Sequence, residues 1–149
     1  MTNKSETKRF LEIALLLLIL AQTSCDQAVS RFPDYSSARK AGIFNQGWIP
    51  ENLTSNSMTN IYQKTNLDLN SCVFSYSLSE PDLIRTLAIA QQTNQKEIPR
   101  GINIPNWWVN KVATLYHYSI FDSKTHDSIY IAIDKQDFKI YGWCNGVMD

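Results

Sequence analysis

The stretch TLYHYSIFDSKTHDSIYIAIDKQDFKIYGWC, residues 114–144, decides the expected fold. Three runs rich in aromatic and β-branched residues occupy 114–121, 128–134 and 138–144, and each run predicts a β-strand. The polar segments between the runs are short enough to be hairpin loops. This part of the chain therefore predicts three strands in an antiparallel sheet.

A fourth strand and several helices are predicted upstream. SCVFSYS, residues 71–77, alternates in a way that is typical of a strand. Helices are predicted over 31–44, 54–64 and 79–92, whereas proline and glycine make 96–111 an irregular connection. We therefore expect an α+β fold, a small antiparallel sheet of about four strands whose one face is covered by two or three short helices, preceded by a signal-peptide helix.

The N-terminus, MTNKSETKRFLEIALLLLILAQTSC, has the pattern of an export signal. Lys4, Lys8 and Arg9 precede an uninterrupted apolar run over 13–21. A helix that spans a bilayer needs about 20 such residues, so this run is too short to cross. Its length and basic flank fit a secretory signal peptide, and a short buried helix is the alternative.

QTSC, residues 22–25, resembles the lipobox of bacterial lipoprotein precursors. In that family the signal peptide is cut before the cysteine, whose thiol carries diacylglycerol and whose new amine is acylated. The resemblance implies that Cys25 is the lipid anchor, although Gln22 departs from the usual leucine. Asp26 is similar to the residue that keeps lipoproteins of enteric bacteria at the inner membrane. The alternative for Asp26 is an ordinary solvated charge.

These assignments divide the chain into a signal peptide at 1–24, a short tether at 25–31 and a single domain at 32–149. The 125 residues from Cys25 onward can bury a core of their own. Their net charge is about −1 and no basic stripe stands out, which argues against nucleic acid as a partner. We expect the domain to face the periplasm from a bacterial membrane, with the inner membrane favoured by Asp26.

Two further cysteines, Cys72 and Cys144, follow the predicted anchor. An even pair in an oxidising compartment favours a disulfide bond. Two buried free thiols that pack as small apolar side chains are the alternative.

Residues 35–78 resemble an uncharacterised family of small bacterial lipoproteins. The shared pattern is a helix with Tyr and Ala, then Gly-Trp-Ile/Leu-Pro, a turn with Ser, and Leu/Ile-Asp-x-Asn before a strand. Leu53 and Thr54 depart from the Leu-Pro of many relatives. The resemblance bears on fold and class and implies no particular activity. The matching positions are Gly47, Trp48, Ile49, Pro50, Ser57, Ile61, Asp68 and Asn70.

The two histidines, His117 and His126, form with Asp122 and Asp127 one cluster that is worth testing for a metal. Zinc needs three or four donors directed at one point, and a polar hairpin loop beside a strand histidine is the alternative that we favour. Cys72 as a nucleophile would need an adjacent base, and no Gly-x-Ser-x-Gly elbow occurs. We expect no metal and no cofactor, and enzymatic activity stays uncertain, with a non-enzymatic protein favoured.

Trp107 and Trp108 are adjacent in a loop bounded by proline. In an extended segment neighbouring side chains point to opposite sides, so one of the two would be exposed as a binding surface. The alternative, which we favour, is that both are buried around a turn.

The sequence thus favours a membrane-anchored envelope lipoprotein that binds an envelope protein or peptidoglycan, in one version as an inhibitor- or immunity-like module. Two alternatives are an envelope hydrolase or metal-dependent enzyme that uses His117 and His126, and a small-ligand carrier with an aromatic pocket near Trp107 and Trp108.

Overall fold

The described residues of the protein form one antiparallel sheet of seven strands in the order β1-β2-β3-β7-β6-β5-β4. The structure, a computed structural model, describes residues 27–93, 102–122 and 127–144. The expected α+β fold with about four strands is wrong, because the described chain is mostly β, with three short α-helices. The predicted signal peptide, Cys25 and Asp26 lie outside the described residues.

The strands and helices have the following bounds. The strands are β1 Gln27–Asp34, β2 Thr59–Asn66, β3 Ser71–Ser77, β4 Gln91–Gln92, β5 Tyr116–Asp122, β6 Asp127–Asp134 and β7 Lys139–Cys144. The α-helices are α1 Tyr35–Lys40, α2 Glu80–Ile89 and α3 Asn106–Val112, and two 3-10 helices span Ile43–Gln46 and Glu51–Leu53.

The helix predicted over 54–64 is wrong, because from Thr59 onward this segment is strand β2. Ile61 belongs to the core on one face of the sheet and Tyr62 to the core on the other. A strand that is buried on both faces loses the alternation that identifies strands in a sequence. The spacing of Met58, Ile61 and Tyr62 therefore imitated one edge of a helix.

The helix predicted over 31–44 is shorter, because its first residues belong to β1. β1 begins at Gln27, so most of the predicted tether at 25–31 lies in the sheet. Asp34 ends β1 and caps α1, since its carboxylate accepts a hydrogen bond of 2.8 Å from the Ser37 backbone N–H. Hydrogen bonds from Ser37 lower the pKa of Asp34.

Both faces of the sheet are covered, and not one face as expected. On the front face, residues 35–58 and α2 pack over a core that contains Phe74 and Ile140. On the back face, residues 102–115, which include α3, pack over Tyr141 and Trp143. β3 is an interior strand, next to the central strand β7, and is buried from Ser71 to Tyr76. No helix in the described part of the chain is both long and apolar enough to cross a membrane.

β3 and β7 form the seam of the sheet, where β1–β3 meet β4–β7. Phe74 is paired directly with Gly142, and its ring fills the space that a side chain at Gly142 would need. Cys72 is paired directly with Cys144, and a disulfide bond joins them with their Cα atoms 5.2 Å apart. The predicted disulfide is confirmed, and it closes one end of the seam.

Replacement of Gly142 by alanine should destabilise the fold by about 3 kcal/mol, because the new Cβ would lie 2.0 Å from Cζ of Phe74. Urea denaturation measures this loss. Phe74→Leu in the Gly142→Ala background should recover part of it, and strictly additive losses in this double-mutant cycle would contradict the contact. Gly47→Ala is the comparison without a steric clash: its Cβ would meet nothing within 4 Å, so its cost should be only the backbone strain at a φ of 78°.

Removal of the disulfide by the double change Cys72→Ala and Cys144→Ala should lower the free energy of unfolding by about 4 kcal/mol, because the bond constrains a loop of 72 residues in the unfolded chain. Denaturation of the oxidised wild type, the reduced wild type and the double variant measures the effect. Two reactive thiols in the oxidised, denatured wild type would contradict the bond.

Candidate functional site

His117 lies in the core of the back face. Its side chain is 6% exposed, its Nε2 lies 2.9 Å from the Val112 carbonyl oxygen, and its ring meets the Trp143 ring edge to face. His126 lies outside the described residues, as do the side chains of its two neighbouring aspartates. Among the residues that the structure describes, no group of three His, Cys, Asp or Glu side chains could hold a metal ion.

Trp107 and Trp108 have different environments because they lie on α3 and not in an extended loop. Trp108 is fully buried and its indole N–H donates to the Phe74 carbonyl oxygen over 3.3 Å. Trp107 is 46% exposed. The irregular connection predicted over 96–111 is wrong from Asn106 onward, where α3 begins, and the favoured burial of both rings is wrong because Trp107 is exposed. Of the two rings only that of Trp107 can meet a binding partner.

Trp107 lines a groove that crosses the back face. The groove has a volume of about 510 Å³, within the range of small-molecule sites. We call it the Trp107 groove. The residues that line it are Arg31, Phe32, Pro33, Asn60, Ile61, Tyr62, Ser75, Trp107 and Lys139.

Aromatic rings and cations alternate along the Trp107 groove. The Arg31 guanidinium carbon lies 5.1 Å from the centre of the Tyr62 ring, and the Tyr62 and Trp107 rings meet edge to face at 5.6 Å. Lys139 Nζ lies 5.6 Å from the centre of the Trp107 ring and 5.3 Å from that of Tyr141. These are cation–π distances, so each cation is held beside an aromatic ring. Neither cation has a carboxylate partner among the described residues.

The carboxylates near Lys139 are engaged by a different lysine. Lys111 Nζ lies 2.6 Å from Asp134 Oδ2 and 3.7 Å from Asp137 Oδ2. The hydrogen bond from Lys111 lowers the pKa of Asp134, and the same bond raises the pKa of Lys111. Neither carboxylate is paired with Lys139, so the positive charge of Lys139 remains available to a ligand in the groove. Burial raises the pKa of Tyr62, against a smaller opposite effect of Arg31, so Tyr62 is neutral at pH 7.

Ser75 belongs to the floor of the Trp107 groove. It lies between Tyr62 and Tyr141 in the row of paired residues that crosses β2, β3 and β7. Its side chain is 1% exposed, and its hydroxyl has no hydrogen-bond partner in the described part of the chain. A buried polar group without a partner costs about 1–3 kcal/mol, which is unusual in a well-packed sheet.

The Gly-Trp-Ile-Pro stretch has a structural position on the front face. Gly47 has a φ of 78°, which favours glycine, and Trp48 packs against the front core. Ile49 is buried, and the Pro50 carbonyl oxygen accepts a hydrogen bond from the Leu53 N–H. These residues shape the loop that covers the sheet.

Asp68 and Asn70 lie in the turn between β2 and β3. Asn70 has a φ of 42°, in the left-handed region that asparagine tolerates better than most residues. This pair too lies away from the groove.

Sequence reasoning found Trp107 and missed Arg31, Tyr62, Ser75 and Lys139. Arg31 is brought beside Tyr62 by the register of β1 and β2, and Lys139 is brought near by the pairing of β3 with β7. The register of strands that are distant in sequence left no local signal. A serine between aromatic residues in a buried strand was the one visible hint.

Comparison with known proteins places a family match on one half of this sheet. Residues 26–77 match the family model described as the YbbD head domain, which is consistent with a bacterial envelope protein. This segment corresponds to β1, α1, β2 and β3, and it contributes Arg31, Tyr62 and Ser75 to the groove. No curated protein and no solved structure matches the chain.

Acid should destabilise the fold through Asp82 and Asp134. Hydrogen bonds from Ser55 and Ser57 lower the pKa of Asp82, as Lys111 lowers that of Asp134. A carboxyl with a lowered folded-state pKa stabilises the fold above its unfolded pKa, near roughly 4, and this contribution is lost as pH falls through the folded pKa.

The melting temperature should therefore fall as the pH is lowered below about 4. Asp134→Asn keeps the shape of the side chain, and it should be less stable than the wild type at pH 7 and lose less stability on acidification. Circular dichroism measures the melting temperatures of both proteins at each pH. An equal drop in melting temperature on acidification in the two proteins would contradict the role of this ion pair.

Proposed function

We propose that the protein is a lipid-anchored lipoprotein of the bacterial envelope that faces the periplasm and binds a partner without catalysing a reaction. The Trp107 groove carries this proposal, because it combines exposed aromatic surface with two cations that have no carboxylate partner among the described residues. Its inhibitor- or immunity-like version is one form of the same binding function.

Anchorage is supported by the export pattern and by the lipobox resemblance at Cys25. The resemblance of residues 35–78 to small lipoproteins agrees with it, as does the family match over 26–77. β1 begins two residues after Cys25, which is about 7 Å of extended chain. A lipid at Cys25 would thus hold the sheet against the membrane surface, and Asp26 favours the inner membrane.

Binding is favoured over catalysis by the places of the candidate catalytic residues. His117 is packed beneath α3, and Cys72 is joined to Cys144. His117 borders a second pocket of about 440 Å³, but it is only 6% exposed and its Nε2 lies 2.9 Å from the Val112 carbonyl oxygen. A hydrolase or metal enzyme would need His117 to turn further into that pocket and to share it with His126. Trp107 faces a groove, so the aromatic binding surface among the sequence hypotheses has the better support.

The anchor is tested by labelling cells with radioactive palmitate. We expect label in the wild type, loss of label in Cys25→Ser, and release of the Cys25→Ser protein from the membrane fraction or accumulation of its uncleaved precursor. Asp26→Ser should move the labelled protein toward the outer membrane. An unlabelled wild type in the cytosolic fraction would contradict anchorage.

The groove is tested by a photo-crosslinking residue in intact cells. Benzoylphenylalanine in place of Trp107 should capture one defined envelope protein or peptidoglycan. The same residue in place of Ile84, which is 60% exposed on α2, is the matched control and should not capture it. Identical random products at both positions would contradict a binding role of the groove.

A further inference from the structure

The Trp107 groove has a charge pattern that defines the chemistry of its ligand. Arg31 and Lys139 are its two charged residues, and no carboxylate lines it among the described residues. Both cations lie beside aromatic rings, with Arg31 exposed and Lys139 half-buried, so a ligand in the groove can reach them. A groove of this kind attracts an anion, and arginine is suited to a planar carboxylate because its donors match the two oxygens.

Ser75 adds a second, independent observation. A hydroxyl that is 1% exposed and without a partner is a donor that a ligand group in the groove can satisfy. Ser75 is paired with Tyr62, and the ring of Tyr62 lies against the Arg31 guanidinium. The hydrogen-bond donors of Arg31 and Ser75, which could bind an anion, thus lie next to the ring of Tyr62, which could pack against the rest of the ligand.

The edge of the sheet determines which molecule can bring this carboxylate. β1 is an edge strand, paired with β2 alone in the described sheet, and its residues 31–33 line the groove. An extended peptide can pair with the outer edge of such a strand and place alternate side chains in a neighbouring pocket. A sugar chain offers no such backbone, and one ring face of Trp107 is already taken by Lys139.

We propose that the Trp107 groove binds an acidic side chain of an extended peptide segment on a partner protein. Arg31 and Lys139 hold the carboxylate, Ser75 donates a hydrogen bond from the floor, and Tyr62 and Trp107 pack against the neighbouring apolar side chain. This inference rests on the proposed binding function and specifies its ligand.

The test uses the full anchored protein in lipid nanodiscs. The probe is a library of end-blocked heptapeptides with Glu or Asp at alternate positions and apolar residues between them, beside the same library with Gln or Asn. Acidic peptides should be enriched over their amide counterparts. A single enriched peptide then provides the dissociation constants.

Arg31→Gln and Lys139→Gln should each raise the dissociation constant of that peptide by about tenfold or more. Lys135→Gln, an exposed lysine outside the groove, is the matched control and should bind like the wild type. Ser75→Ala should weaken binding about fivefold while its melting temperature is unchanged or raised, since the unpaired buried hydroxyl is removed. A purely structural serine would instead lower the melting temperature when it is replaced.

Three outcomes overturn the inference. The first is equal recovery of acidic and amide peptides, and the second is an equal effect of Lys135→Gln and Lys139→Gln on binding. The third is that purified disaccharide-tetrapeptide muropeptides bind in a way that needs Arg31 and Lys139, while acidic peptides do not bind. If crosslinking at residue 107 captures a partner and the acidic library fails, the peptide assignment fails and the binding function stands. If both fail, the binding function fails as well.

Discussion

The pairing of β3 with β7 holds the two parts of the sheet together along six residue pairs, from Cys72–Cys144 to Ser77–Lys139. The interaction is reinforced on both faces. On the front, the Phe74 ring occupies the space over Gly142; on the back, the Trp108 indole N–H donates to the Phe74 carbonyl oxygen. The disulfide closes one end. The front and back cores both extend across this seam, so neither half of the chain can bury its apolar face without the other.

The groove inherits this dependence. Arg31, Tyr62 and Ser75 come from the segment that matches the YbbD head domain, whereas Trp107 and Lys139 come from the part of the chain after it. Arg31 and Lys139 meet in one groove only when the two parts are paired in the observed register, because a shift of one residue between β3 and β7 would place Ser75 and Lys139 on opposite faces of the sheet. The disulfide, which closes one end of this pairing, thus helps to hold the groove as well as the fold.

Local sequence patterns predicted the elements that show alternation or helical spacing, or whose ends carry capping residues or short polar loops. The hairpins of β5, β6 and β7, the strand β3, the helix α2 and the cap at Asp34 were all visible in this way. β1 and β2 were not. The apolar residues of β2, together with Met58, have the spacing of a helix edge, and β1, an edge strand that borders a predicted signal peptide, resembles a linker. The direct pairing of Cys72 with Cys144 explains why the two cysteines after Cys25 were informative here.

The candidate site was predictable only as far as one ring. Trp107 was conspicuous as part of a tryptophan pair, although the helical turn between the two rings, and not an extended segment, separates them. Arg31 and Lys139 are more than 100 residues apart, and their proximity to one groove is a property of register. His117 attracted attention as one of two histidines and is instead a core residue that contacts Val112 and Trp143.

Native-state hydrogen exchange over a range of low denaturant concentrations tests most directly whether the seam organises the molecule. The account predicts that the hydrogen-bonded amides of β3 and β7 exchange together, and only through global unfolding. Separate opening of β1–β3 while β5–β7 stay protected would contradict it, because the two parts of the sheet would then be independent units and the groove between them would not be a fixed site.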